Sequence, residues 1–375
     1  MKIGLVTFYR NYNYGSVLQC YALQSVLEEC GCKVDVLNQK EVGLYWKIRS
    51  LFIKIKFLIS CILYPERWVK YKKFAKESNR SCDGLSSKIK QYFDSFLQNN
   101  IHGKDVSFVA MRKDKSYDMF ICGSDQVWSL TSPMLNPFMF LRFAPKQKRV
   151  SYAASTGTKN IPVWYKKKLK RYINGFKNVS IRETLVVPIL EGIGCKNVQQ
   201  HIDPTLLRTS EFWIKHSIKC KSIKEDNYIL LFFLNKPSSV AIEHIKKVSL
   251  EKKLPIYSFP YKFDEFNQIS KDIKDIDVSP AEFVYVLNNS AVICTDSFHG
   301  VAFSINLKKE FYVYNREYSA GESQSSRIES ILTSYSLESR MISNSSQKTD
   351  LIGNYDSKLE HDRACSLEYI KKIIT

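Results

Sequence analysis

The chain has 375 residues, 44% hydrophobic and 25% charged, which is the range of soluble globular proteins and enough length for two domains. Its 56 Lys and Arg against 37 Asp and Glu leave a net charge of +19. That excess suits an anionic partner (a phosphate-bearing metabolite, a membrane surface or nucleic acid) or merely a lysine-rich solvated surface. No recognition-helix pattern, zinc-knuckle spacing or RNP-like aromatic motif is present, so no nucleic acid is expected. None of the 10 cysteines forms a CxxC pair, which argues against a zinc site and predicts buried free thiols in a reducing compartment.

Residues 3–8, IGLVTF, read as a first strand, too short for the apolar core of a signal peptide, so the expected location is cytoplasmic. The loop YRNYNYG leads into SVLQCYALQSVLEECG, a helix by its apolar spacing that ends on Gly31, and KVDVLNQ is the second strand. Residues 45–73 mix bulky apolar side chains with eight Lys or Arg. The stretch from Leu51 to Leu63 is too short to span a bilayer and contains Lys54 and Lys56. As a helix it either lies on an anionic leaflet, with Trp46 and Trp68 near the interface, or packs on its own domain.

YDMFIC is a short strand running into GSDQVW; RVSYAAS is another, and VWYKKKLKRYINGF is a basic helix. NVSIRE and VQQHIDPTLL complete a first α/β domain, residues 1–210, with 45–73 as an insertion. In the second domain, 211–375, YILLFFL and PIYSFP are strands around the helix SVAIEHIKKVSLEKK. Ser279, Pro280 and Glu282 have capping-box spacing. AVICT is a strand running to Asp296, GVAFSINL a helix starting at Gly300, and EFYVYN a last strand. Such alternation predicts an α/β fold, two Rossmann-like domains facing across a cleft.

Ligands of open α/β sheets bind at the carboxyl ends of strands. Four loops occupy that position: NYNYGS, GSDQVW, IRE and TDSFHG. His299 is the candidate proton shuttle, since imidazole exchanges protons near neutral pH; the alternative is a histidine bonded within interdomain packing. His201 also lies near a strand end. Gly300 leaves room beside His299. Arg182 can present its planar fork to carboxylate or phosphate, or pair with Glu183 or Asp203. Arg327 is a second basic candidate. Asp125 is either a base for a sugar hydroxyl or a turn cap. Asn13, Tyr14 and Gly15 stand where the first helix begins, and Asp296 either bonds a hydroxyl or ties down a neighbouring loop.

In order along the chain, IGLVTFYRNYNYGSVLQCYALQ, FICGSDQVW, SYAAS, VSIRE, DPTLL, TDSFHGVAFSI and SSRIESIL resemble the polysaccharide pyruvyl transferase family. The resemblance covers most of the chain outside residues 45–73 and the last residues. It implies a GT-B-like arrangement and transfer of the enolpyruvyl unit of phosphoenolpyruvate to a sugar, giving a pyruvate ketal across two hydroxyls. His299 and Asp125 would then be catalytic. Arg182, Ser297, Gly300 and Arg327 would hold the donor, and Asn13, Tyr14, Gly15 and Asp296 the acceptor. No metal and no cofactor is expected. The acceptor would be a surface-polysaccharide sugar or its lipid-linked precursor, at the inner face of the plasma membrane. One position departs from what the resemblance implies: some members with assigned pyruvyl transfer carry an arginine two residues before the histidine, and here that residue is Ser297. A different basic residue replaces it, or the donor differs. The other readings are a GT-B glycosyltransferase using a nucleotide sugar and a non-catalytic carbohydrate-binding or membrane scaffold protein.

Overall fold

A computed structural model describes residues 1–41, 44–78, 84–132, 134–316, 326–347 and 354–375. The side chains of 44–49 and 73–78, Trp46 among them, lie outside the described residues, as does Cys82.

Strands β1 (Lys2–Val6), β2 (Lys33–Gln39), β3 (Gly103–Val106), β4 (Met119–Cys122) and β5 (Arg149–Ser151) form a parallel sheet in the order β3-β2-β1-β4-β5. The parallel pair β6 (Val179–Ile181) and β7 (Val198–Gln200) extends it beyond β5 through bridges Val150–Asn178 and Ala154–Ile181. The second sheet comprises β8 (Ile229–Phe233), β9 (Ile256–Pro260), β10 (Lys274–Asp275), β11 (Val292–Thr295), β12 (Glu310–Tyr314) and β13 (Met341–Ile342). Its order, β10-β9-β8-β11-β12-β13, repeats the pattern of the first, and every pairing is parallel. Each sheet therefore reverses its winding once, at β1/β4 and at β8/β11, and the crevice for a ligand opens at the carboxyl ends of those strands. These are the two Rossmann-like units expected.

Apolar runs became strands because helices cover both faces: all residues of β8 and β11 are buried. Side chains mark the helix starts. Asn13 caps Tyr14–Glu29 by accepting from Ser16 N, and Ser279 and Glu282 form the capping box of Pro280–Asn289.

The two units are joined by packing as well as facing one another. Tyr14, on the first helix, lies fully buried against Phe93, Phe232, Phe259 and Phe283, and its hydroxyl donates to Val278 O at 2.5 Å. Burying such a ring contributes about 2–3 kcal/mol, which helps fix the mutual orientation of the sheets. The last helix, Asp356–Ile374, returns to the first unit, where Tyr369 donates to Ser151 O at 2.9 Å. On the way Arg363 donates to Leu206 O at 2.8 Å and to Asn306 Oδ1 at 2.7 Å.

The insertion is a hairpin of two helices, Leu44–Leu63 and Pro65–Ser78. Among the described residues no helix is long and apolar enough to cross a membrane. The described cysteines are all free, and burial pushes the Cys20, Cys122 and Cys294 thiols well up.

Candidate active site

The helix carrying the histidine starts earlier than the sequence suggests. Ser297 is extended (φ −101°, ψ 132°) and the helix runs Phe298–Asn306, so His299 sits in its first turn rather than in a loop. Gly300 does not make room for a ligand. A β-carbon there would fall 2.4 Å from Thr295 Oγ1 and 3.0 Å from the Phe232 ring, so its bareness serves helix-on-strand packing. Gly15 is the glycine that matters to the imidazole: a β-carbon at 15 would lie 1.9 Å from His299 Nδ1.

His299 is 5% exposed, and its Nε2, without a hydrogen-bond partner among the described residues, stands 3.8 Å from Asp203 Oδ2. The same oxygen accepts from Arg182 Nη1 at 2.8 Å, and Ser124 Oγ is 3.1 Å away. Asp203 Oδ1 takes Thr205 N and Oγ1 at 3.0 and 2.8 Å. Burial alone would push this carboxyl up. His299, Arg182 and the Thr205 amide outweigh it and hold Asp203 well below the usual carboxylate range.

Arg182 follows β6 directly and is buried. Burial favours its neutral form, but Asp203, Glu183 and Asp125 together raise its pKa, so the guanidinium is charged. One N–H goes to Asp203, while Nε and Nη2 have no partner among the described residues. The guanidinium carbon lies 3.9 Å from the Phe298 ring centroid, a cation–π platform that fixes its plane. The two readings of Arg182 left open by the sequence are thus compatible: it pairs with Asp203 and keeps part of its fork free.

Arg182, Glu183, Asp203, Phe298 and Arg327 line one open pocket of about 360 Å³, solvent-filled space included, and His299 stands behind Asp203 rather than on its lining. Glu183 accepts from Ser155 Oγ through Oε1, and its buried Oε2 has no partner among the described residues. With the Gln126 amide turned so that its oxygen faces the guanidinium, Arg327 Nη1 donates to it at 2.7 Å.

Other candidates stand elsewhere. Tyr14 is a core residue, its hydroxyl used by Val278, and is not placed to hold an acceptor. Asp296 takes the amides of Leu234 and Asn235 at 2.8 and 2.9 Å and pairs with Arg316 at 3.1 Å, so it is buried and ties the loop after β8 to the end of β11. Asn13 spends its oxygen on the helix cap. Asp125 adopts a left-handed backbone (φ 63°) and accepts from Ser16 Oγ at 2.6 Å; it lies among the Gly15 and Arg182 neighbours without lining the pocket. Ser297 is buried and donates its amide to Thr295 Oγ1, and Arg316 reaches this loop by donating to Asp296 O at 2.9 Å. His201 Nδ1 lies 2.9 Å from Ser180 Oγ with its ring 4.2 Å from that of Tyr369, a place in the packing of the last helix.

From the sequence Asp203 stands only as a competing partner for Arg182, and nothing local marks Glu183 Oε2, which has no partner among the described residues. The Asp-Pro step of QHIDP, with Asp203 capping the helix Pro204–Leu207, was the available signal for the former.

The model of the family described as polysaccharide pyruvyl transferase matches residues 13–318. The chain belongs to this family. Its matched region carries Gly15, Arg182, Asp203 and His299; Arg327 and the returning helix lie past its end. No curated protein sequence matches the chain. Among solved structures, UDP-N-acetylglucosamine 2-epimerase from Rickettsia bellii aligns over 100% of this chain and 96% of its own, at 12% identity and a TM-score of 0.49. The Methanocaldococcus jannaschii UDP-GlcNAc 2-epimerase in complex with UDP-GlcNAc and UDP aligns over 100% and 99%, at 14% identity and 0.46. Escherichia coli heptosyltransferase WaaC with ADP aligns over 98% and 100%, at 11% identity and 0.39.

Proposed function

We propose that this member of the polysaccharide pyruvyl transferase family moves the enolpyruvyl unit of phosphoenolpyruvate onto two hydroxyls of a sugar, forming a pyruvate ketal. One observation carries the reading: a buried, charged arginine, whose Nε and Nη2 have no partner among the described residues, shares the Asp203 carboxylate with a buried imidazole. Each unpaired buried N–H costs about 1–3 kcal/mol, a cost that an anionic ligand removes.

Arg182 Nε and Nη2 take the donor's carboxylate or phosphate, with Arg327, which lines the same pocket, supplying further positive charge. Asp203 stays ionised, its Oδ2 3.8 Å from Nε2 of the imidazolium that His299 forms in the reaction. That imidazolium gives its proton to the methylene carbon, which becomes a methyl group, and the adjacent carbon turns electrophilic. A sugar hydroxyl adds there, its proton passing to Glu183 Oε2. The carbon–oxygen bond to phosphate then breaks, and phosphate leaves with that proton. A second hydroxyl adds at the same carbon, closes the ketal ring and returns its proton to His299. The products are the ketal and inorganic phosphate.

The pocket wall carries Arg182 and Arg327 beside Glu183, Asp203 and Asp362. The acceptor belongs to a surface polysaccharide or its lipid-linked precursor, and the reaction takes place at the inner face of the plasma membrane.

Ser297, at the position where the resemblance led one to expect an arginine of some members, favours one second reading: a nucleotide-sugar donor. Incubating the purified protein with sugar acceptors and either phosphoenolpyruvate or labelled nucleotide sugars decides between them. Phosphate released from phosphoenolpyruvate in an acceptor-dependent way supports the proposal. Consumption of a nucleotide sugar instead overturns it.

A further inference from the structure

A helix on a globular surface ordinarily turns its apolar stripe inward. The helix Leu44–Leu63 does the opposite over its described side chains. Leu51, Phe52, Ile55, Leu58, Ile59 and Ile62 are 43–79% exposed. At about 100° per residue they fall within one arc of roughly 120°. Lys54 stands at one edge of that arc and Lys56 at the other, both exposed. The opposite face attaches the helix to its partner. There Phe57 is buried, its ring centroid 5.2 Å from that of Tyr71, with the Arg67 guanidinium 5.0 Å above it. A contiguous apolar strip of this size marks an interaction surface.

Charge selects what covers it. Residues 50–72 contain Lys54, Lys56, Arg67, Lys70 and Lys72 against a single acid, Glu66. The hairpin also abuts the basic helix Val163–Ile173, through the Tyr64–Trp164 ring pair at 5.9 Å and Arg67 at 5.6 Å from the Tyr165 ring. That helix adds exposed Lys166, Lys167, Lys170 and Arg171, together with Val163 at 67% exposure. A second copy laid on this strip would bring like charges together along both of its edges. Anionic headgroups above an acyl layer match both the apolar arc and its basic margins. Trp68 and Tyr71, stacked at 5.4 Å and each 38% exposed, have the amphipathic character of rings at a lipid–water boundary.

We infer that this hairpin docks the protein on an anionic lipid bilayer, with the helix Leu44–Leu63 lying in the interface plane. The helix does not cross, because charged residues interrupt its apolar stretch. Docking of this kind is independent of the reaction at Arg182 and His299.

The test is co-sedimentation of the full chain with phosphatidylcholine vesicles, with and without phosphatidylglycerol, beside sedimentation velocity in the absence of lipid. The protein pellets with phosphatidylglycerol vesicles, and less as salt rises. The double variant Ile59→Glu/Ile62→Glu changes only exposed side chains and lowers partitioning at least about tenfold, as does Lys54→Glu/Lys56→Glu. The inference is overturned if the wild-type chain stays in the supernatant with phosphatidylglycerol vesicles, or if the Ile59/Ile62 variant pellets equally. It is overturned also if the wild-type chain binds no vesicles and forms a dimer that this variant dissolves.

Discussion

Gly15 and His299 meet across the junction of the two units so closely that a β-carbon at position 15 would lie 1.9 Å from the imidazole Nδ1. The first helix of one sheet and the first turn of a helix on the other thus set the imidazole's position between them. Gly15→Ala therefore displaces the ring while leaving both sheets intact. Misplacement of a reacting group by about 1 Å costs roughly a hundredfold in rate. The expected outcome is a kcat lower by about that factor with a donor KM changed only a few-fold, read by initial-rate kinetics beside a circular dichroism spectrum like that of the wild type. An unchanged kcat would show that the closeness is only packing.

Arg182 holds Asp203 through Nη1, and its Nε and Nη2 have no partner among the described residues. Removing it outright would strand a buried carboxylate, at a cost of about 3–5 kcal/mol, and confuse folding with binding. Arg182→Lys keeps the charge and loses the fork. The KM for phosphoenolpyruvate rises about 10–100-fold in this variant, with a smaller change in kcat. Equal donor KM values for wild type and variant would remove Arg182 from the donor site.

His299→Gln keeps the volume of the side chain and loses proton transfer. Its kcat falls about 10²–10⁴-fold, while phosphoenolpyruvate still binds within a few-fold of wild type by calorimetry. Glu183→Gln lowers kcat in the same assay, because Oε2 no longer accepts the hydroxyl proton.

The sheets were legible in the sequence because parallel strands buried on both faces read as unbroken apolar runs, YILLFFL and AVICT among them. The strand-end placement of His299 and Arg182 was legible for the same reason. Their meeting at Asp203 was not, since the three residues come from separate elements and only tertiary packing decides which carboxylate they share. Tyr14 and Asp296 misled in the same manner. A tyrosine beside a glycine loop, or an aspartate at a strand end, carries no local mark showing whether its polar atom is already taken. The helix start at Phe298 rather than Gly300 escaped notice because an aromatic and a histidine in the first turn are weak helix formers.

His201 offers a stability test apart from catalysis. Burial lowers its pKa from 6.5 to about 4. As pH falls below 6.5 the unfolded chain takes a proton at this position and the folded chain does not until about 4. Stability from this residue is therefore complete above that window, declines as pH falls through it, and levels off below. The decline amounts to at most about 3 kcal/mol. Urea unfolding of wild type and His201→Gln across the window gives the difference: the wild-type chain loses stability more steeply on acidification. Parallel curves would mean that His201 titrates alike in both states.

The central claim is that a guanidinium and an imidazole, drawn together by Asp203, close on phosphoenolpyruvate. A crystal structure of the protein soaked with phosphoenolpyruvate measures this most directly. The account predicts density for the ligand's carboxylate or phosphate within hydrogen-bond distance of Arg182 Nε or Nη2, with the methylene carbon facing His299 Nε2. A ligand bound elsewhere, or a pocket that stays empty at saturating concentration, would contradict it.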